Sequence, residues 1–291
     1  MKLADLKVAH HFVSLPNLRL HYVERGEGPV VVLLHGFPET WWSWRHQIEA
    51  LANAGFRVIA PDLRGFGESG TNGPYHLDTI TADVGALIES LGVDRRVKII
   101  GHDWGGATAW HLAAHRPEFV ERLAVLNCPH PALLRSSILG NLRQLRRSWY
   151  MFFFQLPWLP ELALTQNDGG EIVRMLRGVS VDRTNFSEDD VRPFRDAVAR
   201  PGVASAMLGW YRAAIRGGLR KQKPYPLITA QTMLVWGMSD PALGFDDVVP
   251  GTEAHAPHLR LERIPNAGHF VQSERPEAVN PLLIDFLSRP L

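Results

Sequence analysis

The stretch Val97-Lys98-Ile99-Ile100-Gly101-His102-Asp103-Trp104-Gly105-Gly106 decides how this chain is read. A short apolar run of the kind that forms a buried strand stops at a glycine-bracketed acidic residue, and a helix-like segment begins at once. The pattern Gly-x-Asp-x-Gly has the form of the Gly-x-Ser-x-Gly strand-to-helix turn, in which a strained backbone presents a reactive side chain and small neighbours make room for it. Here the central residue is Asp103. A hydroxyl suits acyl transfer to a carbonyl. A carboxylate, ionised at neutral pH without help, can displace a leaving group at a saturated carbon and leave an alkyl ester on the protein. The expected substrates are electrophilic alkyl carbons. The competing reading makes Asp103 a cap for the helix that starts near Trp104, accepting its backbone N–H groups.

On either side the chain alternates strand and helix. Residues 10–24 read as two strands around the turn Leu15-Pro16-Asn17, broken afterwards by Gly26-Glu27-Gly28-Pro29. Val30–Leu34 is a continuous aliphatic run, as a strand buried on both faces should be, and it ends in His35-Gly36-Phe37-Pro38. Residues 41–55 follow a helical pattern. Residues 58–62 form another strand, running into Leu63-Arg64-Gly65-Phe66-Gly67-Glu68-Ser69, where Asp62 and Ser69 read as turn residues bonded to their own backbone. An amphipathic helix over 80–91 leads into the opening stretch, Trp104–His115 is the helix after it, and 123–127 is the next strand. Such alternation predicts an α/β fold with a mostly parallel sheet flanked by helices.

The pattern breaks at Pro129-His130-Pro131 and resumes after Pro224-Tyr225-Pro226. Between them lie helical segments without a clear buried strand. The expected division is therefore a core from 1–131 and 226–291 with a helical insert at 132–225. The insert holds 15 Lys and Arg against 8 Asp and Glu, most simply a solvated basic face. Its aromatic run at 149–154, beside Arg143, Arg146 and Arg147, reads as a cap helix over an apolar pocket rather than a membrane or nucleic-acid surface. After the insert, strands at 231–236 and Leu259–Ile264 end in Gly237-Met238-Ser239-Asp240 and Asn266-Ala267-Gly268-His269-Phe270, and 278–287 closes as a helix.

Composition bounds the function. With 291 residues, 45% of them hydrophobic, the chain can build one large core with an insert. A formal charge of +1 is not that of a nucleic-acid binder. The single cysteine, Cys128, fits a reducing compartment. Residues 1–11 lack the apolar core of a signal peptide, so a cytoplasmic location is expected. The most apolar segment, 151–164, is interrupted by Gln155, Pro157, Pro160 and Glu161 and falls short of the roughly 20 residues of a membrane span. The sequence carries no metal-ligand spacing and no phosphate-cradling glycine loop, and no cofactor is called for.

Nucleophile, then an acid after a late strand, then a histidine near the C-terminus: Asp103, Asp240 and His269 fill the triad order of the α/β-hydrolase fold. Asp246 and Asp247 follow closely enough to compete with Asp240 for the acid's place. The Gly-His-Asp-Trp-Gly-Gly turn, the His-Gly-Phe-Pro loop and the Asn-Ala-Gly-His segment resemble those of the soluble epoxide hydrolases of this fold, over nearly the whole chain including the cap. The resemblance implies an oxyanion hole from the backbone N–H groups of Phe37 and Trp104. It also implies two cap tyrosines that hold and protonate the epoxide oxygen, and the surroundings of Tyr150 and Tyr211 match both segments. The implied partners are a small-molecule epoxide and water; the oligomeric state is left open.

The same turn and loop occur in haloalkane and fluoroacetate dehalogenases. The haloalkane enzymes resemble this chain at Trp104, yet Phe37 stands where their second halide donor would be; the fluoroacetate enzymes carry a cap His-Trp pair that this insert lacks. A serine esterase is disfavoured by Asp103 itself. A non-enzymatic binding protein on this scaffold would typically have lost a triad member, and none is missing.

Overall fold

The computed structural model describes residues 5–93, 96–218 and 224–290, so residues 1–4 of the N-terminal segment and three of the basic residues counted in the insert lie outside it. Eight strands form one sheet: β1 (Ala9–Leu15), β2 (Leu18–Arg25), β3 (Val30–Leu34), β4 (Arg57–Pro61), β5 (Val97–His102), β6 (Val120–Leu126), β7 (Gln231–Gly237) and β8 (Leu259–Ile264). Their spatial order is β1-β2-β4-β3-β5-β6-β7-β8. The β1–β2 and β2–β4 pairs are antiparallel and all others parallel. The two-residue corner between β1 and β2 is allowed by Asn17, whose φ of +63° suits asparagine better than a branched residue. Every residue of β3 and β5 is buried, as the unbroken aliphatic runs require of central strands covered on both faces.

Register positions the chemistry. Leu34 pairs with Gly101, Gly101 with Val125, Val125 with Leu234, and Gly237 with Ile264. The C-terminal ends of β3, β5, β6, β7 and β8 therefore lie side by side, and the loops that leave them converge outside one edge of the sheet, where ligands of open α/β sheets bind.

The segment expected to be one helix over 41–55 is a 3-10 turn, Trp41–Trp44, followed by an α-helix, Arg45–Asn53. Thr40 tightens the start by accepting the Trp42 N–H. The helix expected from residue 80 begins at Leu77, directly after the extended His76.

Between β6 and β7 the described residues hold six α-helices and no strand: Pro131–Gly140, Leu142–Arg147, Trp149–Phe153, Leu159–Gly178, Glu188–Val198 and Val203–Gly218. The fourth breaks at residues 166–169, three of which have positive φ. Ser187 and Asp190 form a reciprocal capping box at the fifth. Buried polar bonds fix these helices to the sheet body. Trp42 donates to the Asp190 carbonyl at 3.1 Å, the Arg45 guanidinium meets the Asp190 carboxylate at 3.1 Å, and Trp210 donates to the Arg64 carbonyl at 3.0 Å.

Candidate active site

Asp103 sits between β5 and the helix Trp104–His115 with φ +49° and ψ −121°, a conformation that costs free energy in any residue but glycine. Its side chain makes no capping bond to that helix, so the capping alternative fails. The close packing around it demands glycine. A Cβ on Gly105 would lie 2.0 Å from the Leu34 carbonyl oxygen, and one on Gly36 would lie 2.4 Å from the Asp103 Cβ. The space saved lets the Phe37 N–H donate to Asp103 Oδ1 at 2.8 Å. Trp104 is the first residue of the helix, where backbone N–H groups have no partner within the helix.

His269, on the loop after β8, donates from Nδ1 to Asp240 Oδ2 at 2.7 Å, and its Nε2 stands 3.6 Å from Asp103 Oδ2. That second distance is too long for a hydrogen bond, so Oδ2 of Asp103 is left unspent. Asp240, after β7, is fully paired: Asn127 donates to its Oδ2 at 2.9 Å, and the N–H groups of Ala242 and Leu243 reach Oδ1 at 2.8 and 3.0 Å. Asp246 and Asp247 play no such part. Asp247 instead pairs with Arg143 and Arg147 at 3.0 and 3.2 Å, and Asp246 lies in the short helix Phe245–Val248.

The electrostatics follow from burial and charge pairing. Burial alone would push the carboxyl groups of Asp103 and Asp240 up and the His269 imidazole down. Their mutual attraction outweighs it. Both carboxyl groups are held below the ordinary carboxylate range and the imidazole well above its ordinary value, with the Asp240 charge the largest raising influence. The resting site is thus an imidazolium between two carboxylates.

Tyr150 and Tyr211 come from different helices of the insert and meet with ring centroids 5.9 Å apart. Tyr211 also packs edge-on against Phe37, Trp104 and Phe154 at 5.2, 5.1 and 4.9 Å. Burial first, and then the Asp103 charge, push both phenols well above their ordinary value of about 10, so they are neutral donors at any working pH.

Every site residue expected from the sequence lies at this one place, with Phe37 holding Asp103 directly. Sequence reasoning missed a buried layer beneath it. His102 bonds Glu39 Oε2 through Nδ1 at 2.8 Å and the His269 carbonyl through Nε2 at 2.9 Å. Glu39 also accepts from the Gly36 N–H at 2.9 Å and from Gln272 at 3.0 Å. This layer joins the loops after β3, β5 and β8, and its only sequence signal is polar residues beside the motifs. Asn127 was missed likewise. Asp62 and Ser69 do serve their turn, accepting from Glu68 and donating to the Asp62 carbonyl, but Asp62 also binds His21 at 2.7 Å. Among the described residues no three His, Cys, Asp or Glu side chains gather as a metal site would, and no helix is long and apolar enough to cross a membrane.

Residues 29–276 match the model of the alpha/beta hydrolase fold, and the chain belongs to that family. Within it, the chain is similar to the epoxide hydrolases. It is 36% identical to epoxide hydrolase 3 of Xenopus tropicalis, over 96% of this chain and 77% of that one, and 35% identical to human epoxide hydrolase 4, over 96% and 78%. It is also 39% identical to AB hydrolase superfamily protein YfhM of Bacillus subtilis, over 95% and 96%. Among solved structures, an epoxide hydrolase from Bacillus megaterium in complex with an inhibitor superposes with a TM-score of 0.88 at 27% identity, covering 96% of this chain and 100% of that one.

Proposed function

We propose that the protein is an epoxide hydrolase that converts a small-molecule epoxide and water into a vicinal diol through an alkyl ester on Asp103. We read 1–131 and 226–291 as its hydrolase core, 132–225 as a cap over the site, and the cytoplasm as its location, in keeping with a lone buried cysteine. The observation that carries the reading is the pair of neutral phenols, half-buried Tyr150 and buried Tyr211, held beside an ionised aspartate. Epoxide opening generates an alkoxide far more basic than a phenolate, so a phenol can protonate it. Halide departure needs no proton, and Phe37 offers no side-chain N–H to pair with that of Trp104 around a halide.

In the first step the unspent Oδ2 of Asp103 attacks a ring carbon from the back, the carbon–oxygen bond breaks, and a tyrosine gives its proton to the departing oxygen. Esterification removes the charge of Asp103, one of the two that keep His269 protonated, so the ring sheds its proton, which returns to the tyrosinate by way of solvent, and stands ready as a base. His269 then takes a proton from water, whose oxygen attacks the ester carbonyl carbon. The N–H groups of Phe37 and Trp104 stabilise the oxyanion. The acyl–oxygen bond breaks, the proton remaining on the oxygen that came from water passes to the departing alkoxide, the diol leaves with an oxygen of Asp103, and His269 is again an imidazolium beside two carboxylates.

A single turnover in heavy-oxygen water with enzyme in excess tests this route. The diol should emerge unlabelled while the Asp103 peptide gains the heavy oxygen. A labelled diol with an unlabelled Asp103 would overturn the covalent step. Haloalkanes or aryl esters turned over in preference to epoxides, in a parallel panel, would overturn the substrate class.

A further inference from the structure

We infer that segment 139–162 of the cap docks the protein onto an anionic lipid surface, against the sequence expectation for 149–154, because Trp149 and Phe152 of that run face solvent. Eight of the twelve exposed large hydrophobic residues among those described fall in these two dozen positions, including Leu139, Leu142, Trp149, Phe152 and Trp158. Scattered singly, such residues are ordinary; gathered on one stretch, they mark an interaction surface. Trp158 is 71% exposed and is held at φ +49°, a conformation unfavourable for a bulky residue.

Charge selects the partner. No acidic residue occurs between Glu121 and Glu161, whereas Arg135, Arg143, Arg146 and Arg147 all lie in that interval. Arg143 and Arg147 lean on Asp247, whose carboxylate is buried; Arg146 is exposed and, among the described residues, makes no ion pair. Leu142 and Arg146 stand one turn apart on the same helix, as do Trp149 and Phe152 on the next. Short helices with tryptophan and leucine among arginines suit the headgroup boundary of an anionic bilayer, where the apolar groups enter the acyl edge and the cations meet phosphates. A second copy of the chain on this surface would bring arginines against arginines, and the one acid of the segment, Glu161, is already paired with Arg212. Docking in this way does not depend on the epoxide reading.

The test is flotation of the full chain with vesicles of phosphatidylcholine alone and of phosphatidylcholine with one-quarter phosphatidylglycerol. Binding is expected to the anionic vesicles only, falling as salt screens the surface. Arg146→Glu should weaken it roughly 25-fold, since two unit charges near such a surface count about fivefold each. Leu142→Ser with Trp158→Ser should weaken it at least as much while leaving the thermal unfolding midpoint in place. Wild-type protein that floats with neither vesicle, or equally with both, overturns the proposal without any variant. So does a concentration-dependent dimer that Trp158→Ser dissolves in the absence of vesicle binding, because the surface would then belong to a second copy.

Discussion

The Nδ1–H of His269 donates to Oδ2 of Asp240 over 2.7 Å, and this single bond settles which ring nitrogen is turned toward Asp103. The neutral ring would carry its remaining proton on Nδ1 and leave Nε2 as the basic atom. Three further donors, from Asn127, Ala242 and Leu243, hold Asp240 ionised and still, so the imidazole is aimed by a carboxylate that has no freedom of its own.

His269→Gln should therefore separate the two chemical steps. Alkylation needs Asp103 and the tyrosines, whereas ester hydrolysis needs the base. Incubated with an epoxide, the variant is expected to gain the mass of one substrate, localised by peptide mapping to Asp103. An adduct elsewhere would contradict the proposed order of events.

Tyr150→Phe and Tyr211→Phe each remove one donor to the opening oxygen with almost no change of packing volume. The expected loss in the alkylation rate is about 2–4 kcal/mol of barrier, the scale of one oxyanion-hole donor. Pre-steady-state quenching of tryptophan fluorescence reads it, because Trp104 lies against Tyr211. Wild-type rates in both variants would remove the tyrosines from the mechanism.

Gly36→Ala tests how finely Asp103 is placed. The added methyl would lie 2.4 Å from the Asp103 Cβ and 2.5 Å from its Oδ1, so the carboxylate must shift. Displacement of this order costs roughly 100-fold in a positioned reaction. Turnover should fall by about that factor while binding of a diol product, followed by calorimetry, changes little.

Stability should carry a pH signature of the same charges. His269 has a folded-state pKa raised above its unfolded value of about 6.5, so its contribution is full below that pH and fades as pH rises through the raised value. Asp103 and Asp240 are depressed, so theirs is present above about pH 4 and fades as pH falls through their folded values. His269→Gln leaves two buried carboxylates without a counter-charge. Urea unfolding should show the gap between wild type and variant widest near pH 5 to 6 and narrowing on the alkaline side. A gap that widens with pH would contradict the imidazolium assignment.

The parallel sheet and Asp103 were legible because their signals are local: continuous aliphatic runs, and a glycine-bracketed acid between a strand and a helix. Asp240 could be preferred over its neighbours only from its place directly after a strand; in the structure it is Asp240, and neither Asp246 nor Asp247, that lies 2.7 Å from His269 Nδ1. Tyr150 and Tyr211 were read through resemblance, since nothing in the spacing of two cap tyrosines says that their rings meet. The layer of Glu39, His102 and Gln272 was not legible. Glu39 and Gln272 are 233 positions apart, and only the strand order brings their loops together. The break at 166–169 went unread as well, although Asn167, Asp168 and Gly169 are residues that tolerate its backbone.

The tyrosines and the triad belong to separate stretches of chain: Asp103, Asp240 and His269 ride on loops from the sheet, Tyr150 and Tyr211 on helices inserted between β6 and β7. Reagent and mould are thus inherited on different pieces. Under the proposed mechanism, replacing side chains around residues 149–154 and 210–212 would reshape which molecules fit and where their oxygen is gripped while leaving in place the bond between Asp240 and His269. A laboratory seeking a different mirror-image preference would begin its libraries in those helices and leave the sheet loops untouched.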